Sequence, residues 1–123
     1  MEPRKPRERP ERLIQDKLIA FLEKRGWYVK ETHGNAFQSG FPDLYAVHPL
    51  YGQRWIEVKN PGKYQFTDAQ IETFTKWAGC SIKVWVLTAA TEDEYKKLFA
   101  QANWHHYLPV NKVISRPRPK HYE

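Results

Sequence analysis

Two carboxylates and one ammonium stand out for chemistry. Asp43 follows a proline in Gly40-Phe41-Pro42-Asp43-Leu44, and Glu57 heads the triplet Glu57-Val58-Lys59. Carboxylates brought together repel unless a cation lies between them. A few hard oxygen ligands, with room left for water and phosphate, suit Mg²⁺ or Mn²⁺. A lysine beside such an ion can hold or activate a water and offset charge on a phosphate. Taken singly the signals are ordinary. Glu-x-Lys on a strand is commonly a solvated face, and Pro-Asp is commonly a turn. The chemistry therefore depends on whether the fold brings the groups together.

The intervening chain says that it does. Two short β-rich runs flank the turn residues Pro49 and Gly52, which is the pattern of a hairpin. A turn centred near Leu50 and Tyr51 pairs residues whose numbers sum to about 101. Asp43 then faces the neighbourhood of Glu57 and Val58. Strand alternation sends Glu57 and Lys59 to one face, and Ile56 and Val58 to the other.

The remaining elements frame this hairpin. A first helix is expected from Glu11 to Arg25, stopped by Gly26, with Ile14, Leu18, Phe21 and Leu22 as its buried stripe. Glu11 sits at the first turn of that stripe, either as a dipole-favoured acid or as a third acidic group aimed at the site. Trp27–Thr32 reads as a strand, followed by the polar loop from His33 to Gly40. Asn60-Pro61-Gly62-Lys63 breaks the second hairpin strand. Thr67 then caps a helix from Asp68 to Ala78, closed by Gly79, with Ile71, Phe74 and Ala78 buried. Gln70 lies beside that stripe, and with Lys63 it flanks the loop leaving Lys59. Ile82–Thr88 suits a strand covered on both faces. Thr91-Glu92-Asp93-Glu94 opens a last helix with acids favoured by its dipole, burying Tyr95, Leu98 and Phe99. The order α-β-β-β-α-β-α implies an α/β domain with a mixed four-stranded sheet between helices. Residues 1–10 form a basic, proline-rich arm, 11–102 the domain, and 103–123 an aromatic and basic extension.

The totals agree with one folded domain. The chain has 123 residues, 41% of them hydrophobic, and five tryptophans. No apolar run approaches the ~20 residues that span a bilayer, and the charged N-terminus is unlike a secretory signal. The single cysteine, Cys80, fits a reducing, cytoplasmic setting, and no membrane or small-molecule cofactor is expected. The net charge is +6, and most of the excess lies at the two ends, which favours polyanions. Arg116, Arg118 and Lys120 form a proline-spaced tail suited to backbone phosphates. In Trp104-His105-His106-Tyr107, adjacent histidines point different ways, so base stacking or packing on a partner fits the aromatics better than a metal.

From Glu11 to Leu87 the chain resembles the PD-(D/E)XK, or restriction-endonuclease-like, nuclease superfamily, and is most similar to small stand-alone VRR-NUC nucleases of phages and bacteria. The resemblance rests on Gly40-x-Pro42-Asp43-Leu44, on Glu57-Val58-Lys59 and on the helix start Thr67-Asp68-Ala69-Gln70; no literal Val-Arg-Arg occurs. It implies a Mg²⁺- or Mn²⁺-dependent DNA endonuclease leaving 5′-phosphate and 3′-hydroxyl ends. The ion would be held by Asp43, Glu57, the Val58 carbonyl and Glu11. Lys59 would act on the water, with Gln70 pointing back to the site. His33, Asn35, Gln38, Ser39 and Lys63 would lie beside the nucleic acid. The resemblance also implies a homodimer acting on branched DNA such as Holliday junctions or flaps, and a phage-encoded protein in a bacterial host. The alternative is a nucleic-acid-binding module on a nuclease fold without catalysis. Binding alone has no use for converging carboxylates near phosphate.

Overall fold

The computed structural model describes residues 9–32 and 40–108. His33, Asn35, Gln38, Ser39, Arg116, Arg118 and Lys120 lie outside the described residues. The elements run α1 (Arg9–Lys24), β1 (Tyr28–Glu31), β2 (Leu44–His48), β3 (Gly52–Val58), α2 (Asp68–Gly79), β4 (Val84–Leu87) and α3 (Glu92–Tyr95). Short 3₁₀ turns follow at Lys96–Phe99 and Trp104–Tyr107. The four strands form one sheet in the order β1-β2-β3-β4. The β1–β2 and β2–β3 pairs are antiparallel, and β3–β4 is parallel. This is the expected mixed α/β architecture.

Helix α1 stops where its glycine dictates. Gly26 takes φ +92, its N–H donates to the Glu23 carbonyl at 3.1 Å, and the Trp27 N–H donates to the Leu22 carbonyl at 3.1 Å. That pair of bonds is a Schellman stop, which needs a left-handed residue. The buried stripe differs from expectation. Leu18, Leu22 and Gln15 are fully buried, while Ile14 and Phe21 are only half-buried flanks. The inward line is therefore Glu11, Gln15, Leu18, Leu22, at steps of four, three and four.

Helix α2 begins as expected and ends later. The Thr67 hydroxyl accepts from the Gln70 N–H at 3.0 Å, and the Gln70 side chain accepts from the Thr67 N–H at 3.1 Å, a complete capping box. Gly79 does not terminate the helix; it is the last helical residue. The stop belongs to Ser81, at φ 65, with Ser81 N–H to Ala78 O at 3.1 Å and Ile82 N–H to Trp77 O at 2.8 Å.

Each face of the sheet has its own core. Leu44, Ala46, Ile56, Val58, Trp85 and Leu87 pack against Leu18, Leu22, Trp27 and Leu98. On the other face Val84 and Val86 pack against Phe74 of α2 and Trp104, with Trp55, Phe66 and Trp77 alongside. All of β4 is buried, as its apolar run requires. The last helix is a correction. Only four residues of α3 are α-helical, and the tighter turn that follows buries Leu98 but leaves Phe99 exposed. Its acids also do more than favour the dipole. Glu94 accepts from the Thr88 N–H at 2.9 Å and pairs with Lys97 at 2.6 Å, and Glu92 pairs with Arg25.

Trp104 is also reassigned. It is buried edge-to-face against Phe74, with ring centroids 5.4 Å apart, so it belongs to its own core and is not available to a base or a partner. Beside it Asn103 accepts from the Val86 N–H at 2.7 Å and donates to the Val86 carbonyl at 3.3 Å. The asparagine satisfies both backbone groups of a buried edge strand.

Candidate active site

The hairpin register decides whether the two acids meet. Leu44 pairs with Ile56 and Tyr45 with Trp55, so the next position places Asp43 opposite Glu57. Residues directly opposite in an antiparallel pair share a face. That face is the one that packs on α2, because Trp55 and Glu57 alternate with the core residues Ile56 and Val58. The expected convergence is therefore present, one position beyond the last pair of the hairpin ladder.

Each acid is held by the other's strand. The Val58 N–H donates to Asp43 Oδ2 at 2.8 Å, and the Asp43 N–H donates to Glu57 Oε1 at 3.2 Å. Backbone donors fix carboxylate orientation without long side chains to order. The residues before Asp43 set its approach. Gly40 has φ +87, and a Cβ there would lie 2.7 Å from both the Ala69 carbonyl and the Thr73 hydroxyl of α2. Only glycine lets the chain pass this close to the helix. The Thr32 N–H donates to the Asp43 carbonyl at 3.0 Å, and the Thr32 hydroxyl donates to the Pro42 carbonyl. The end of β1 and the first turn of α2 thus clamp the Gly-x-Pro-Asp segment from two sides.

Lys59 completes the group. Its Nζ lies 3.0 Å from Glu57 Oε2, donates to the Gln65 carbonyl at 2.5 Å and to Gln70 Oε1 at 3.4 Å, and sits 4.5 Å from the Phe66 ring centroid. Gln70 Nε2 donates to Glu57 Oε2 at 2.8 Å. One side chain therefore closes the helix cap and joins the acid to the lysine. The two acids and the lysine are 7%, 1% and 4% exposed, in the order Asp43, Glu57, Lys59. At such burial two carboxylates against one ammonium leave negative charge in excess. The Glu57 carboxyl is accordingly pushed up to about 8, first by burial, then by the charge of Asp43, against the opposing pull of Lys59 and Gln70.

A cavity of about 420 Å³ opens over Glu57 and Lys59, walled by Glu11, Lys63, Tyr64, Gln65, Thr67 and Gln70. Glu11 reaches it from α1 and accepts from the Asn60 N–H at 3.4 Å. Lys63 is exposed at the mouth. Asp43 lies one strand over and does not line the cavity. Among the described residues no three His, Cys, Asp or Glu side chains gather closely enough to hold a metal by themselves. An acid pair plus backbone oxygen and water is what remains, which suits Mg²⁺ or Mn²⁺ and not zinc. The donor set fits such an ion, because both acids supply hard oxygen and a cation between them would offset the repulsion that pushes the Glu57 carboxyl up. A larger cavity of about 540 Å³, at the other end of β3 and β4 near Arg54 and Trp85, has no carboxylate in its wall. Chemistry and not size therefore selects the first.

Gln15, Glu31 and Thr32 were not legible as parts of this framework. Gln15 Nε2 donates to Glu31 Oε1 at 2.9 Å, one helical turn after Glu11. The only signal was a polar residue on the inward line of α1. Its partner lies 16 residues away on another element.

No protein-family model and no curated protein matches the sequence. A solved structure described as a VRR_NUC domain is similar in fold, with a TM-score of 0.59 at 19% identity, over 72% of this chain and 94% of that one. The chain has the fold of a VRR-NUC domain, the restriction-endonuclease-like α/β architecture.

Proposed function

We propose that this protein is a divalent-metal-dependent endonuclease that hydrolyses phosphodiester bonds in DNA, with branched or flapped DNA as its preferred substrate and a homodimer as its working form. One observation carries the reading: Asp43 and Glu57 lie side by side on one face of the sheet, nearly inaccessible, with Lys59 3.0 Å from Glu57. Asp43, Glu57 and the Val58 carbonyl are the groups that would hold Mg²⁺ or Mn²⁺, with Glu11 in the cavity wall facing the ion's waters and not joining as a third acid ligand. Bound there, the ion supplies a Lewis acid for a phosphate oxygen and a more acidic water.

The chain's own groups do the rest. Lys59 orients the attacking water and offsets the charge that builds on the phosphate. Gln70 holds Lys59 and Glu57 in mutual register through a rigid helix cap. Burial keeps the electrostatic interactions strong by excluding water. Lys63 at the mouth meets backbone phosphate. Dimerisation would supply two centres for two strands.

The test is cleavage of branched, single-stranded and duplex DNA with Mg²⁺, Mn²⁺ or chelator, comparing wild type with Asp43→Ala and Lys59→Ala. Cleavage that needs the metal and is lost in both variants supports the reading. Full activity in both ends it. Junctions cut no faster than plain duplex, or a monomer by light scattering at micromolar concentration, removes the branched-substrate and dimer parts.

A further inference from the structure

The sheet face that carries Asp43 and Glu57 continues beyond them, and over half of it no helix lies among the described residues. Helix α2 covers β3 and β4 through Phe74 and Trp77. On β1 and β2 the same face shows Lys30 paired with Tyr45, and Tyr28 paired with Val47. Glu31 and Val29, which alternate with these, turn to the other face, where Glu31 meets Gln15 and Arg12 of α1 and Val29 packs on the core. Tyr28 is 73% exposed, and Lys30 is exposed. Tyr28 has no ring partner and Lys30 no carboxylate partner among the described residues.

Between this open strip and the acids stands a wall of rings. Tyr45 and Trp55 have centroids 4.5 Å apart, Trp55 and Trp77 5.0 Å, Phe41 and Trp77 5.2 Å, and Phe41 and Trp55 6.1 Å. All four rings are half-buried, so each keeps a solvent side. Strand geometry ties two of the rings to the chemistry: Tyr45 follows Asp43 by two residues and Trp55 precedes Glu57 by two, while Phe41, ahead of β2, joins through its contacts with Trp55 and Trp77. Side chains two apart on a strand share a face at a spacing of about 7 Å. From the acids to Tyr45, and on to Val47 beside Tyr28, the strip is about 14 Å long by the same spacing.

We propose that this strip is a stacking platform for unpaired nucleotides, so that the substrate is DNA with a single-stranded segment next to the scissile phosphate. The proposal rests on the nuclease reading for its placement, and it names the substrate feature of that same site. Every base has a π-face, so rings in a row accept single strands with little regard to sequence. Lys30 supplies a cation for the backbone between stacked bases. A paired duplex keeps its bases stacked on each other and gives such rings nothing to hold. The exposed Lys30 cation beside Tyr28 and the solvent sides of Tyr45 and Trp55 favour a single-stranded polyanion over a second copy of this chain.

The experiment uses the full chain in chelator, titrated with single-stranded oligothymidylate and with a blunt hairpin duplex of equal nucleotide number, read by tryptophan fluorescence. Cleavage of an overhang duplex and a blunt duplex is then measured with Mn²⁺. Variants are Tyr28→Ala/Lys30→Ala, at exposed positions that leave the core intact, and Tyr28→Phe, which keeps the ring. The expected result is about a tenfold loss of single-strand affinity in the double variant, little change for blunt duplex, and retention in Tyr28→Phe. With overhang DNA the double variant is expected to raise KM by a similar factor and leave kcat unchanged. Equal loss on both ligands, or no loss on either, overturns the platform. A dimer that becomes a monomer in the double variant, with single-strand affinity unchanged, assigns the face to a second copy and also overturns it. Ring-dependent single-strand binding without any Mn²⁺-dependent cleavage supports the platform and sinks the nuclease reading instead.

Discussion

Asp43 and Glu57 are locked by exchange: the strand of each acid donates a backbone N–H to the carboxylate of the other, at 2.8 Å from Val58 and 3.2 Å from Asp43 itself. The pair is therefore part of the sheet and does not depend on flexible side chains for its geometry. Asp43→Asn keeps an oxygen for the Val58 N–H and removes only charge. It is expected to keep the fold within a few degrees in Tm while abolishing metal-dependent cleavage. It should also lower the Glu57 pKa, since the charge of Asp43 helps hold it up. A carboxyl ¹³C titration reads that shift; an unmoved Glu57 resonance would show that the two acids do not sense each other.

Stability should fall with rising pH through one identifiable group. Glu57 has a folded value near 8 against an ordinary 4.5, so the folded state holds its proton where the unfolded state has lost it. The stabilisation is full below about 4.5 and is lost as pH rises towards 8, at about 1 kcal/mol per pH unit at most. The groups facing it are Asp43 just before β2, Lys59 beyond the end of β3 and Gln70 from α2, with Glu11 from α1 on the same cavity. Glu57→Gln should flatten the slope in urea titrations across this window. The same slope in the variant would assign it elsewhere.

Gln70 has two jobs that mutation can separate. Thr67→Ala and Gln70→Ala each break the capping box and should each cost about 1 kcal/mol. Only Gln70→Ala also frees Glu57 and Lys59, so only it should reduce kcat sharply. Equal activity loss in both variants would mean that the cap alone matters.

The two left-handed positions around α2 should respond in opposite directions. Ser81→Gly removes the strain of φ 65 at the helix stop and is expected to stabilise by up to about 1 kcal/mol. Gly40→Ala forces a Cβ against the Ala69 carbonyl and is expected to destabilise by at least about 1 kcal/mol and to displace Asp43. Thermal melts check both.

What was readable in the chain follows from how local each cause is. Pro49 and Gly52 punctuate the hairpin and the apolar alternation sets its face, so Asp43 and Glu57 were paired within one residue of their register. The Thr67 cap and the Gly26 stop are also local chemistry. Gly79 misled because a glycine in a last turn looks like a stop, whereas the bonds of Ser81 and Ile82 back to Ala78 and Trp77 place it two residues on. Leu98 is buried as its spacing implies, but Phe99 is exposed because a 3₁₀ turn shifts the side-chain period from 3.6 to 3. Gln15 was invisible because its satisfaction comes from Glu31 on another element. The open strip of Tyr28 and Lys30 required knowing that α2 covers only β3 and β4.

The most direct test is calorimetric titration of Mn²⁺ into the protein without DNA, at pH 7 in two buffers of different ionisation enthalpy. The expected result is saturable binding with proton release, because the ion must displace the proton that Glu57 holds below pH 8, and loss of binding in Asp43→Asn and Glu57→Gln. Binding of equal strength in both variants, or none in the wild type, would contradict the assignment of these two acids to a divalent ion.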